Sequence, residues 1–175
     1  MGPMAINMDS GMVLNLKSMQ DSIVIGTNRF VKVRELMCSA SVMRTELFQR
    51  VGLMDESLFI DGVDFEICWR SANQINAHFY LAKECTLKHQ LGEGDRVLLG
   101  RTIHIPTPFR VYYQVRNGIF LSRRKYVPIG WKVLENIKSV GKLLIFPLFV
   151  SPRWLYLKMI LKGYRDGLLG NRFKI

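Results

Sequence analysis

From Val51 to Arg70 the chain reads VGLMDESLFIDGVDFEICWR, and this run decides how the rest is understood. Leu58-Phe59-Ile60 is apolar and strand-like. Asp61 follows at an N-cap position, ahead of a helix expected from about Gly62 to Asn73. Val63, Phe65, Cys68, Trp69 and Ala72 recur at three- and four-residue intervals, the spacing of a buried helix face. Asp55, Glu56, Asp61, Asp64 and Glu66 place five carboxylates within twelve residues. Acids at a helix N-terminus stabilise it by roughly 0.3–1 kcal/mol each, and that is one reading of the cluster. Asp64 and Glu66, however, are two apart, about 200° around a helix axis, so both cannot serve as caps. A carboxylate at a strand-to-helix junction, facing a cleft, is suited to general-base work. Carboxylates near a His are also a hard-cation site.

Upstream, Ile23 to Ile25 and Phe30 to Val33 read as short strands, and residues 1–22 as a lead-in of weak periodicity. Leu36 to Val42 reads as a small-residue strand or turn. Thr45 is placed to cap a short helix, TELFQRV, which Gly52 stops. Downstream, Ala77 to Leu81 and Cys85 to Leu87 look like a hairpin turning at Ala82-Lys83-Glu84. His78 and His104 read as structural residues. His89 ends a strand and opens the loop Gln90 to Asp95, a position from which to reach a ligand. Beyond Pro108 three helices are expected, Phe109 to Tyr126, about Gly130 to Phe146, and Arg153 to Leu169, punctuated by Pro128, Pro147 and Pro152.

The net charge of +11 is divided unevenly. Residues 1–100 carry 10 Lys/Arg against 12 Asp/Glu, whereas residues 101–175 carry 15 Lys/Arg against Glu135 and Asp166 alone. A mildly acidic globular part and a basic part that meets something anionic follow from this split. Three cysteines without CxxC spacing argue against a disulfide framework and against a thiolate zinc site. Signal-peptide character is absent from the N-terminus, and no run of 18 apolar residues offers a simple transmembrane helix.

The run Val51 to Arg70 resembles the block that ends the catalytic core of bacterial family 2 glycosyltransferases, which reads as D-E, then F-I-D, then a D-x-E element and an Arg. Upstream, MCSASVMRTELFQRVG is similar to the small-residue strand and helix before that block, with Ala40 where relatives have Gly. Downstream, LKHQLGE resembles an H-x-L-G element. FRVYYQVRNGIFLSRR resembles the Y-Y-x-x-R-N segment of rhamnosyltransferases, and GYRDGLLGN their G-x-x-D-G-x-x-G ending. Five motifs in order cover about residues 34–172.

The resemblance implies an α/β protein: an incomplete GT-A-like core followed by an α-helical extension. Its expected divisions are a lead-in over 1–35, the C-terminal part of the catalytic domain over 36–100, and basic amphipathic helices over 101–175. It implies Asp64 as catalytic base for inverting transfer, Asp61 and Glu66 as acids shaping the acceptor site, Ser39 and Ser41 beside the donor sugar, and His89 near the metal or diphosphate. Arg70 corresponds to a structural helix Arg. Val63 stands where many relatives have Glu, so Asp64 carries more of the assignment. The implied donor is dTDP-rhamnose, the acceptor a lipid-linked surface-polysaccharide glycan, and the cofactor Mg²⁺ or Mn²⁺. The D-x-D acids that hold this cation in relatives do not occur before Asp55, so the chain reads as a fragment without the nucleotide-binding half.

Lys/Arg residues from Arg123 to Arg165 interleave with Trp131, Ile137, Leu143, Phe146, Phe149, Trp154, Tyr156 and Ile160. Such helices suit the plane of an anionic membrane, and the resemblance agrees with the cytoplasmic face of the inner membrane. Packing of these apolar faces on another domain is an alternative. Nucleic acid is disfavoured, because no recognition-helix or RNA-binding motif is present and Leu143 to Val150, LLIFPLFV, has no use in a polar groove. A non-catalytic membrane-binding piece, or one subunit of a split transferase, is the competing functional class.

Overall fold

A computed structural model describes residues 1–7, 18–25, 27–89, 95–98 and 101–170. The chain is mixed α/β and forms two compact units. One comprises Met1–Met54 with Asp64–Gly94, the other Asp55–Val63 with Asp95–Ile175.

The first unit carries four strands, β1 (Gly2–Asn7), β2 (Ser18–Ile25), β3 (Asn28–Val33) and β4 (Phe79–His89), and two helices, α1 (Thr45–Val51) and α2 (Val63–Ile75). The sheet order is β1-β4-β3-β2, with β1 parallel to β4 and the remaining pairs antiparallel. A strand thus occupies part of the stretch expected as lead-in, while residues 8–17 lie outside the described ones. The expected hairpin at Ala82-Lys83-Glu84 is instead the middle of one continuous strand. Leu81 and Ala82 pair with β3 on one side and with β1 on the other. A central strand with a ladder on both edges cannot fold back on itself there, and no Gly, Pro or Asn supplies turn chemistry.

Val33, Leu36, Val51, Ile67, Cys68 and Phe79 form this unit's core, with Leu47 and Phe48 against it. Arg44, not Thr45, occupies the cap position of α1 and gives no side-chain cap. Gly52 ends the helix with φ of +85°, its N–H reaching the Phe48 carbonyl at 2.9 Å. Leu36 to Val42 is a turn rather than a strand, and Ala40 within it has φ of +55°. The buried face of α2 is Glu66, Ile67, Cys68, Trp69 and Ser71, while Ala72 is exposed. Polar residues take interior positions because each is satisfied: Ser71 Oγ donates to the Ile67 carbonyl at 2.6 Å, and Trp69 Nε1 to Glu35 Oε2 at 3.1 Å.

The second unit holds a two-stranded ladder, β5 (Asp95–Leu98) with β6 (Arg101–His104), and three helices, α3 (Pro108–Ser122), α4 (Ile129–Phe149) and α5 (Arg153–Leu169). Thr107 caps α3, its Oγ1 accepting from the Arg110 N–H at 3.3 Å, with Pro108 in the first turn where no N–H is required. Pro147 does not end α4 but sits inside its last turn. The core is Ile105, Val111, Val115, Phe146, Val150, Tyr156 and Ile160, so two of the aromatic residues expected at a membrane boundary, Phe146 and Tyr156, are interior.

Gly163 and Gly167 bring α5 onto α3. A Cβ at Gly163 would lie 2.8 Å from the Tyr112 carbonyl oxygen, and one at Gly167 2.8 Å from Ile119 Cδ1. The closing G-x-x-D-G motif is therefore a packing device, completed by Asp166, which is 1% exposed and accepts from Tyr112 Oη at 2.9 Å. Burial, aided by Asp166, raises the Tyr112 phenol above its ordinary pKa.

Candidate functional site

Asp64 is the second residue of α2, in its first turn and half-buried. Its Oδ1 accepts from the Phe65 N–H at 3.2 Å and its Oδ2 from the Cys38 N–H at 3.4 Å. The second contact joins it to the turn that holds Ser39 and Ser41, so the expected base and the expected donor-side serines share one local structure. Ser41 Oγ donates to the Met37 carbonyl and stabilises that turn. The charge of Asp64 reaches the thiols around it. Burial first and Asp64 second push Cys38 up to about 11, and burial with several neighbours, Asp64 among them, pushes Cys68 to about 12.

Glu66 is 0% exposed and bound by Arg70, whose Nε lies 2.9 Å from Oε1. Arg70 also donates to the carbonyls of Val51 and of Leu53, the latter at 2.7 Å. Glu66 is thus the buried counter-ion of a backbone clamp. Its carboxylate does not open on solvent, in contrast to the expected acceptor-site acid.

Asp61 belongs to the helical unit. Leu58-Phe59-Ile60 is not a strand: Glu56–Leu58 forms a 3-10 turn capped by Asp55, and Phe59, Asp61 and Gly62 all have positive φ. Asp61 does not cap α2. Arg110 holds it through Nε at 2.9 and 3.1 Å and Nη2 at 2.9 Å. Asp55 is paired with Arg124, which with the amide of Ser57 draws its carboxyl below the ordinary range against the effect of burial.

The Y-Y-x-x-R-N segment explains how this turn is held. Arg116, 1% exposed, donates through Nη2 to the carbonyls of Ser57 at 2.6 Å and Leu58 at 3.3 Å. Asn117 Nδ2 donates to the carbonyls of Leu58 at 2.8 Å, Ile60 at 2.6 Å and Asp61 at 2.9 Å. Sequence reasoning matched this motif but assigned it no task. Its signal was an Arg-Asn pair inside an otherwise apolar helical run, which is tolerated only where a buried polar partner is supplied.

His89 closes β4, and its side chain lies outside the described residues, as does the loop 90–94. Among the described residues no group of three or more His, Cys, Asp and Glu side chains is arranged to hold a metal ion.

The three helices of the second unit also present a distinctive surface. Ile129, Val133, Ile137, Val140, Leu144 and Leu148 follow the 3.6-residue period along α4, and each is more than half exposed. They lie opposite the face that buries Ser139 and Phe146. Lys125, Lys138, Arg153, Lys158 and Arg165 are exposed on the same unit. Lys142, expected among the surface cations, is instead half-buried against Gln114 at 2.7 Å and Glu135 at 3.8 Å, and burial lowers its pKa. Among the described residues no helix is long and apolar enough to cross a membrane.

Comparison with known proteins finds a sequence relative. Over 132 residues the chain is 31% identical to the dTDP-rhamnosyl transferase RfbF of Shigella flexneri. The match covers 75% of this chain and 44% of that protein, so the chain spans less than half the length of the relative. No protein-family model and no solved structure matches the chain.

Proposed function

We propose that this chain, homologous to a dTDP-rhamnosyl transferase, carries the base-bearing side of an inverting sugar-transfer site. The sheet unit is the C-terminal part of a GT-A-like catalytic domain, and the helical unit is its extension. The observation that carries this reading is the contact of Asp64 with the Cys38 amide, 3.4 Å long, which sets the acid against the turn bearing Ser39 and Ser41. Asp64 takes the proton of an acceptor hydroxyl, whose oxygen bonds to the anomeric carbon of rhamnose. The bond from that carbon to the diphosphate oxygen breaks, dTDP leaves with the electron pair, and the configuration inverts. A carboxylate positioned by backbone amides is suited to receive that proton.

The donor in this reading is dTDP-rhamnose, the acceptor a lipid-linked glycan of a surface polysaccharide, and the place of work the cytoplasmic face of the inner membrane. The apolar ridge of α4 and the exposed lysines and arginines of its unit support an anionic bilayer as the docking surface, each such cation near the surface adding roughly 1 kcal/mol. A second reading is a subunit that completes its site with another chain.

The test is a transfer assay with dTDP-rhamnose and a lipid-linked glycan in phosphatidylglycerol vesicles, run beside calorimetric titration with dTDP. Asp64→Asn is expected to reduce transfer by at least about a hundredfold while dTDP binding is kept. Undiminished transfer by this variant overturns Asp64 as base. Wild-type protein that neither binds dTDP nor transfers sugar overturns the first reading for the chain by itself. In co-sedimentation, Ile137→Glu with Leu144→Glu should release the chain from the vesicles, and undiminished binding would remove α4 as the docking face.

A further inference from the structure

The turn Phe59–Gly62 is built against the preferences of its own residues. Phe59 has φ of +59° and ψ of −64°, and Asp61 has φ of +63°, a region that residues with a Cβ avoid. Such conformations persist only where the surroundings over-determine them, and they concentrate at binding and catalytic sites. Here the surroundings are the buried Arg116 and Asn117, whose hydrogen bonds to the carbonyls of Ser57, Leu58, Ile60 and Asp61 fix the turn from beneath.

What this apparatus presents is a phenyl ring. Phe59 is 65% exposed. A single exposed apolar residue calls for no explanation, but this ring is not single. Tyr113 lies beside it with centroids 5.0 Å apart and planes tilted by 34°, and Phe109 stands nearly perpendicular at 6.3 Å and 85°. Phe109 is itself 42% exposed and rests on Tyr113 at 5.1 Å. One ring forms a floor and another a wall. Asp61 is two residues on from Phe59 and Arg110 is next to Phe109 in the chain, and their ion pair, with side-chain exposures of 18% and 35%, offers carboxylate lone pairs and guanidinium N–H groups side by side.

We propose that Phe59 and Phe109, backed by Tyr113, are a platform for a pyranose ring of the glycan acceptor, with Asp61 and Arg110 receiving its hydroxyls. The negative face of an aromatic ring attracts the positive C–H groups that one face of a pyranose presents. An apolar floor with a few convergent polar groups is the general form of a small-ligand site. Vicinal hydroxyls match a carboxylate and a guanidinium held together by hydrogen bonds, and a 6-deoxy sugar places its methyl group on the wall. That the sugar belongs to a glycan acceptor rests on the transferase reading; the shape and chemistry of the corner do not.

The test is saturation-transfer NMR of the full chain with methyl α-rhamnopyranoside and with a rhamnose disaccharide, in wild type, Phe59→Ala, Phe109→Ala and Asp61→Asn. Saturation at the sugar ring protons and methyl group is expected, with affinity reduced roughly fivefold in Phe59→Ala and two- to threefold in Phe109→Ala. Far-ultraviolet dichroism checks the fold, and Phe109→Ala decides the question if Phe59→Ala fails to fold. Equal binding by wild type and the aromatic variants overturns the platform, as does absence of binding by the wild type. Unchanged sugar binding with lost vesicle binding in Phe59→Ala assigns the ring to the bilayer and overturns it too. The readout needs no nucleotide and no turnover. Sugar binding that depends on Phe59 in a chain without transferase activity therefore keeps the platform and discards only the transferase reading.

Discussion

Two helices in two different units hold the backbone between residues 51 and 61 by similar means. In the sheet unit, Arg70 on α2 donates to the carbonyls of Val51 and Leu53. In the helical unit, Arg116 and Asn117 on α3 donate to those of Ser57, Leu58, Ile60 and Asp61. The devices differ in how the buried cation is accommodated. Arg70 carries a counter-ion one turn away in Glu66, an arrangement that one helix encodes by itself. Arg116 is held by Asn117 and distant carbonyls, and its guanidinium carbon lies 4.6 Å from the centroid of the Tyr113 ring. That arrangement exists only once the 57–61 turn is in place.

The same contrast marks the acids. Asp61 is fixed by a guanidinium, whereas backbone amides position Asp64 and its charge is felt by neighbouring thiols.

The most severe way to break the comparison is Arg116→Ala. It leaves the carbonyls of Ser57 and Leu58 buried with a donor lost, at an expected cost of about 3–5 kcal/mol. Hydrogen exchange should show protection lost in α3 and α5 while β3 and β4 keep theirs; equal loss in both units would mean that the two do not respond separately.

A second experiment sharpens the contrast between the acids. With its thiol pushed up to about 11, Cys38 should react with iodoacetamide at pH 8 at least about tenfold more slowly than free cysteine. Because burial and the negative charge of Asp64 both raise this pKa, Asp64→Asn lowers it, increases the thiolate fraction and speeds alkylation. An unchanged rate would mean that Asp64 does not act on Cys38. Asp61→Asn, in the other unit, should leave the rate as it is.

The smallest expected effect concerns Ala40. Its φ of +55° lies in the region that glycine occupies freely, which suits the Gly that the family resemblance implies at this position. Ala40→Gly relieves the Cβ clash at the cost of greater unfolded-state freedom, for a net gain of under about 1 kcal/mol in thermal unfolding. A loss of stability would mean that the Ala40 methyl group packs usefully.

Much of the helical unit was legible in the chain. Pro108, Pro128 and Pro152 lie at or just before the starts of α3, α4 and α5, and periodic apolar residues fill the lengths between. Such signals act within one or two turns, so they survive in a linear reading. The strands were legible in part: the stretches read as strands at 23–25 and 30–33 lie within β2 and β3, but β4 was divided in two. Whether Ala82-Lys83-Glu84 turns or continues is decided by the ladders on both sides.

The candidate site was legible as a set of acids and not as an arrangement. Asp55, Asp61, Asp64 and Glu66 were all named; Glu66 has its partner Arg70 one turn on in the same helix, yet nothing local distinguishes Asp64, held by amides, from the acids held by Arg124 and Arg110. By itself the sequence determined the charge division, the starts of the last three helices and the order of the motifs, because proline geometry, periodicity and charge are properties of neighbouring residues. Only the tertiary structure decided which polar side chains could be buried and which way each acid is held. A buried polar group is stable only with its partner in place, and those partners lie as far as 59 residues away along the chain.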